Sequence, residues 1–134
     1  MVPLASAERL NPTTGLWEVL PPLAVPRHGA AAVSIDSTSQ SPTGRTRGAG
    51  LYVFGGTAAG GASAAVEVYQ GPGKGWRRLA DMPHPRESCC GVAARSEGRD
   101  VIILAGGGNP AVDVFVVAAN KWEVPSVHLI LNRS

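Results

Sequence analysis

One short motif constrains this chain more than any other: Leu51-Tyr52-Val53-Phe54-Gly55-Gly56, an apolar run that stops abruptly at two glycines. It returns as Val101-Ile102-Ile103-Leu104-Ala105-Gly106-Gly107, 51 positions later (106 − 55 = 51). A continuous β-branched and aromatic run reads as a strand buried on both faces. Glycines directly after it mark a backbone that needs positive φ or lies close against another segment. Recurrence at an interval of this size points to a repeat architecture, in which each unit buries its faces against its neighbours.

Other landmarks fall into the same frame. Trp17, Trp76 and Trp122 each follow a turn-forming stretch, and Arg27 and Arg86 lie ten positions after the first two (27 − 17 = 86 − 76 = 10), each preceded by proline. A small-residue strand follows each arginine, Gly29–Ile35 and Cys89–Ala94. The double-glycine strand comes next, then an alternating strand, Ala65–Tyr69 or Ala111–Val116, and then the next tryptophan. In the alternating strands Glu67 and Asp113 sit between apolar neighbours that face the other way. Short connections between four such strands favour antiparallel hairpins and a four-stranded twisted sheet. No segment sustains a helical period without an intervening glycine or proline, and the 17 glycines and 11 prolines suit many short elements. The fold class is all-β.

This order of Pro-Arg, small-residue strand, Tyr-Val-Phe-Gly-Gly, alternating strand ending in Tyr69, turn, Trp76 and then Pro85-Arg86 resembles the kelch repeat of β-propellers, over about residues 4 to 124. The resemblance implies radial four-stranded antiparallel blades, with the small-residue strand lining a central channel and the tryptophan strand outermost. Residues 1–22 would supply the last two strands of one blade, 23–82 a complete blade with a 36–48 loop insertion, and 83–124 a second blade. The divergent tail 125–134 would be a truncation or an unrelated segment, able to add one strand. Gly55, Gly56, Tyr69, Trp76, Gly106, Gly107 and Trp122 carry the structural signature. Arg27 and Arg86, at a repeat-defining position, are expected to hydrogen-bond backbone carbonyls between blades.

Function is then expected in the loops. The connections after each double glycine, Thr57–Ala64 and Gly108–Pro110, share one rim with the Pro-Arg steps, because strand direction alternates. Kelch members that hold acidic peptides place basic residues just after those landmarks. Here Thr57, Gly108, Gly29 and Ser88 occupy those positions, so no cationic clamp is expected. Arg27, His28, Thr57, Ser63, His84, Arg86, Glu87 and Asn109 remain as a polar partner-binding surface. The Ser/Thr/Pro/Gly-rich insertion reads as a surface loop, with Ser39 and Ser41 as phosphorylation candidates.

Several chemistries lack their residues. His28, His84 and His128 have no metal-ligand spacing, no cofactor is implied, and Gly106-Gly107-Gly108 lacks the lysine and helix of a phosphate loop. The set of a kelch-type copper oxidase is not recognisable. A net charge of +2 without blocks argues against nucleic-acid or anionic-membrane partners, and Arg45-Thr46-Arg47 reads as a solubilising run. The absence of a signal-like start and of disulfide-spaced cysteines leads to the expectation of a cytoplasmic or nuclear protein. Adjacent Cys89 and Cys90 should project one thiol into a blade interface and the other toward the channel.

The expected function is that of a non-enzymatic kelch-repeat protein-binding module. Its resemblance to the blade junctions of plant proteins with an F-box before the propeller adds substrate recognition for a ubiquitin ligase, through a Skp1-type adaptor and an F-box this sequence lacks. The alternatives are a fragment of a galactose-oxidase-like or carbohydrate-modifying propeller enzyme, or a truncated product without a function of its own. Two blades and a remnant leave uncovered faces, so marginal stability or self-association is also expected.

Overall fold

The computed structural model describes residues 3–35, 48–71 and 73–123. These form an all-β arrangement of twelve short strands, with no helix among the described residues. The first two strands, β1 (Ala7–Asn11) and β2 (Leu16–Leu20), pair as an antiparallel hairpin. Its turn is fixed locally: Asn11 Oδ1 accepts the Thr13 amide at 2.9 Å and its carbonyl accepts that of Gly15 at 2.8 Å, with Gly15 at φ +73°. A first four-stranded sheet follows in the order β3 (Ala31–Ile35), β4 (Gly50–Phe54), β7 (Val66–Tyr69), β8 (Trp76–Arg78). The two-residue strands β5 (Thr57–Ala58) and β6 (Gly61–Ala62) make a small hairpin inside the β4–β7 connection. The second four-stranded sheet runs β9 (Cys89–Ser96), β10 (Arg99–Gly106), β11 (Asp113–Val116), β12 (Lys121–Glu123).

The two sheets share one plan. In each, every strand pairs antiparallel with the next one that joins the sheet. They differ between their first two strands. Glu97 and Gly98, at φ +54° and +75°, join β9 to β10 by a two-residue turn of the type that matches strand twist. The insertion at 36–48, with its Ser39 and Ser41, occupies the corresponding connection in the first sheet and lies, except for Gly48, outside the described residues. The tail from residue 124 also lies outside them.

The core sits between the sheets. Ala31, Val33, Ile35, Tyr52, Phe54, Val66 and Val68 from the first face Cys89, Ile102, Leu104, Phe115 and Trp122 from the second. Phe54, Phe115 and Trp122 meet with ring centres 5.0 to 6.1 Å apart. Burying each phenylalanine contributes about 1.5–3 kcal/mol of transfer free energy. Gly91 lets β9 approach β3: a Cβ there would lie 2.6 Å from Leu104 Cδ2 and 2.8 Å from Val33 Cγ2. The β1–β2 hairpin covers the opposite face of the first sheet, with Leu20 buried and the Arg9 guanidinium 5.9 Å from the Tyr69 ring centre.

The adjacent cysteines depart from expectation in one respect. Cys89 is buried between the sheets, as an interface residue should be. Cys90 is exposed on the far broad face of the second sheet. Successive side chains of a strand point to the two faces and neither points along the sheet edge, so the channel-lining assignment fails on strand geometry.

Candidate functional site

At one end of both sheets, β4 and β10 stop at their double glycines while β3 and β9 begin, and the chain is tied there by two buried ion pairs. The Arg27 guanidinium donates to Glu67 at 2.6 Å, to the Gly55 carbonyl at 2.9 Å and to the Ala65 carbonyl at 3.0 Å. Glu67 is fully buried, and its carboxylate also accepts the amides of Ala24 (2.7 Å) and Val25 (3.2 Å). One acidic side chain in β7 thus neutralises the arginine and fastens the β2–β3 connection. Every carboxylate oxygen in the pocket has a donor, which is what a buried charge requires.

The second sheet repeats this with other atoms. Arg86, fully buried, donates from Nη2 to Asp113 at 2.9 Å and to the Ala111 carbonyl at 2.6 Å, and from Nη1 to the Gly106 carbonyl. Pro83 and His84 stand where the first sheet has Ala24 and Val25, so one backbone donor is missing. The His84 side chain takes over: its Nδ1 donates to Asp113 Oδ2 at 3.1 Å while the ring stays 39% exposed.

Both arginines are therefore part of the framework and do not form a contact surface. The expectation that they bond backbone carbonyls holds, but these carbonyls belong to the arginine's own sheet and its loop. Contacts between sheets are made otherwise: Gly56 donates its amide to the Arg86 carbonyl at 2.8 Å, and Arg86 donates its own to Ser63 at 3.1 Å. Gly55, at φ +66°, has this carbonyl so close that a Cβ would collide with it. At the other edge, Trp76 Nε1 donates to the Pro21 carbonyl at 2.7 Å and Trp122 Nε1 to the Ala80 carbonyl at 3.0 Å, so each tryptophan ties its sheet to the preceding segment.

Above the ion pairs lies a polar surface. His28 and Thr57 exchange backbone bonds at 3.1 and 2.7 Å, and Thr57 Oγ1 donates to Glu87 Oε2 at 2.6 Å. The Ser88 amide donates to the Gly29 carbonyl at 2.9 Å, joining the two Pro-Arg steps. His28, Thr57 and Glu87 are thereby gathered into one patch spanning both sheets. Ser63 and Asn109 are used internally, their side-chain oxygens accepting the amides of Ala65 (3.1 Å) and Ala111 (2.8 Å). Of the signature residues, Gly56 and Gly107 take positive φ against the carbonyls of His28 and Glu87 at equivalent distances of 2.7 Å from an added Cβ. Tyr69 packs against Trp76 with ring centres 5.6 Å apart and the rings tilted by 44°.

The patch holds one exposed carboxylate and one half-buried histidine, with the arginines beneath already neutralised. It can exchange hydrogen bonds with a polar ligand. Among the described residues no group of three or more His, Cys, Asp or Glu could hold a metal ion, and no helix is long and apolar enough to cross a membrane. Burial pushes the Cys89 thiol above its ordinary range, which suits a packed side chain rather than a nucleophile. No protein-family model and no curated protein sequence matches the chain.

The sequence reading did not pair Glu67 with Arg27 or Asp113 with Arg86. The separations, 40 and 27 residues, look unrelated. The difference of 13 is the sum of eight extra residues between arginine and double glycine and five between double glycine and acid. With loop lengths discounted, each acid takes the same place in its repeat, and that was the available signal.

Proposed function

We propose that the chain is a segment of a kelch-type β-propeller, its two four-stranded sheets being adjacent blades, acting as a non-enzymatic protein-binding module. The observation that carries this reading is the recurrence of the arginine–acid tie beneath the loop rim in both sheets. The tie fixes the backbone from which His28, Thr57 and Glu87 project, so a polar surface is held on rigid strand ends. Its partner is a protein presenting hydrogen-bonding groups, and basic groups toward Glu87. In the ligase version of this reading the rim recognises the substrate, and a protein carrying this segment together with an F-box recruits a Skp1-type adaptor.

Affinity capture tests the reading with three proteins: wild type, a His28→Ala/Glu87→Lys rim variant, and Arg95→Glu at the opposite sheet end. A partner retained by wild type and Arg95→Glu and lost by the rim variant supports it. A partner lost by Arg95→Glu alone moves binding to the other end and ends the rim hypothesis. Failure of the F-box-bearing protein to co-purify with the adaptor removes the ligase version only.

A further inference from the structure

Each sheet has two broad faces, and the chain stacks them in one sense only. The hairpin packs its Leu20 side on the face of the first sheet that carries Tyr69 and Glu67, and the first sheet packs its Val33–Tyr52–Val68 face on the second sheet's Leu104–Phe115 face. Among the described residues two faces are left over, one at each end of this stack.

At the C-terminal end, the second sheet turns Cys90, Val92, Ile103, Ala105 and Val114 outward, in the register positions that hold core residues Ala31, Val33, Tyr52, Phe54 and Val68 in the first sheet. The first set is largely open and the second is buried: Val92 is 58% exposed and Cys90 and Ala105 are exposed, whereas Val33 is 7% and Phe54 0% exposed. Val101 and Val116, on the same outward face, are buried. Gly106 tells the same story. Gly55 lies against the carbonyl of the following Pro-Arg step, but a Cβ on Gly106 would meet nothing within 4 Å.

At the N-terminal end, the hairpin turns Leu10, Trp17 and Val19 outward, at 45, 65 and 83% exposure. Leu10 pairs with Trp17 across the hairpin as Tyr69 does with Trp76 and Phe115 with Trp122. Phe54 lies 6.0 Å from the Trp122 ring and covers that pair. Leu10–Trp17 has no such cover among the described residues. The open C-terminal face thus matches in kind the face that covers such a pair, and the open N-terminal face matches in kind the pair that is covered.

We infer that copies of this chain associate head to tail, the outward face of the second sheet of one copy seating on the outward face of the β1–β2 hairpin of the next. Ala105 of one copy then takes the place of Phe54, over Leu10 and Trp17 of the other. The contact is heterologous, because two different surfaces meet, so successive copies close into a ring where the rotation between them permits it and otherwise continue open-ended. The two-stranded hairpin has no counterpart of β9 and covers only part of the four-stranded face, which places the contact at the small, weak end of interfaces. The inference is independent of what the loop rim binds.

Sedimentation velocity of the purified full chain, from low to high micromolar concentration, reads the association. Wild type should gain mass with concentration, as a closed ring or as an open series of copies. Ala105→Glu and Trp17→Glu, both at exposed positions, should each be monomeric throughout. An equimolar mixture of the two variants should form a complex that stops at two chains, because each variant keeps one intact face. Both carry the same added charge, so the rescue comes from the unaltered faces. Val114→Glu, on β11 of the same outward face, must reproduce the behaviour of Ala105→Glu, which separates loss of docking from a local folding defect. A wild type that stays monomeric overturns the inference. So does association surviving in either single variant, which means like faces meet, or a mixture that remains monomeric.

Discussion

The ties at Arg27 and Arg86 do the same task at different depths. In the first sheet the glutamate reaches past its arginine to two backbone amides, and nothing in the pocket faces water. In the second, the shorter aspartate meets Pro83, which has no amide to give, and a half-exposed histidine ring fills in. The repeat therefore conserves charge neutralisation and not atoms. A buried ion pair is weak as a source of net stability, yet removing one partner leaves an uncompensated charge and is costly. The sealed tie should be the more sensitive of the two.

The largest expected effect follows. Glu67→Ala strands the Arg27 guanidinium and two backbone amides and should cost about 3–5 kcal/mol in urea unfolding. Asp113→Ala should cost less, because it strands no pair of backbone amides and the site lies beside a ring open to solvent. Equal losses would mean that the amides of Ala24 and Val25 contribute nothing. Next come the glycines. Gly55→Ala combines positive φ with a collision against the Arg86 carbonyl and should cost more than ~2 kcal/mol, whereas Gly106→Ala meets only the conformational strain of about 1 kcal/mol. A Gly106→Ala loss as large as that at Gly55 would show that its surroundings are already occupied.

A pH series separates the sheets in another way. Burial pushes the Tyr52 hydroxyl, which donates to the Gly48 carbonyl at 2.6 Å, up to about 12 from its ordinary 10.0. The folded state thus holds the proton more tightly than the unfolded chain. Its contribution is complete below pH 10 and is lost as pH rises toward about 12. Tyr52→Phe should flatten that alkaline decline. The matching position in the second sheet is Ile103, which has no proton to lose. The smallest effect concerns Ser88, at φ +56° where the first repeat has Gly29 at φ +67°. Ser88→Gly relieves the left-handed strain at the cost of unfolded-chain entropy and should stabilise by ~0.5 kcal/mol, seen as a small rise in the denaturation midpoint.

Much of this fold was readable from residue types whose environment leaves little choice. Leu51–Phe54 and Val101–Leu104 read as strands from their apolar runs, although only β4 is covered on both sides, and the positive φ of Gly55, Gly56, Gly106 and Gly107 follows from their position after those strands. The rim was harder. Thr57-Ala58-Ala59-Gly60-Gly61-Ala62 has little strand propensity, so the β5–β6 hairpin was invisible; it forms where His28 docks against Thr57. Arg27 and Arg86 look like surface residues by composition. Their burial depends on acids far along the chain, behind loops of unequal length. Cys90 was misplaced because its broad face was confused with the edge of its strand.

The tryptophan and glycine ties have a further consequence for how the chain opens. Each Nε1 bond runs back to the segment just before its own sheet, and the Gly56 amide runs forward to the carbonyl of the next. Among the described residues, none of these bonds skips a neighbour. Stability is then passed along as in a one-dimensional row, where an end element has one partner and the middle element two. The first sheet, flanked on both faces, should be the last cooperative unit to exchange its amide hydrogens, with opening expected to proceed inward from the hairpin and from the second sheet.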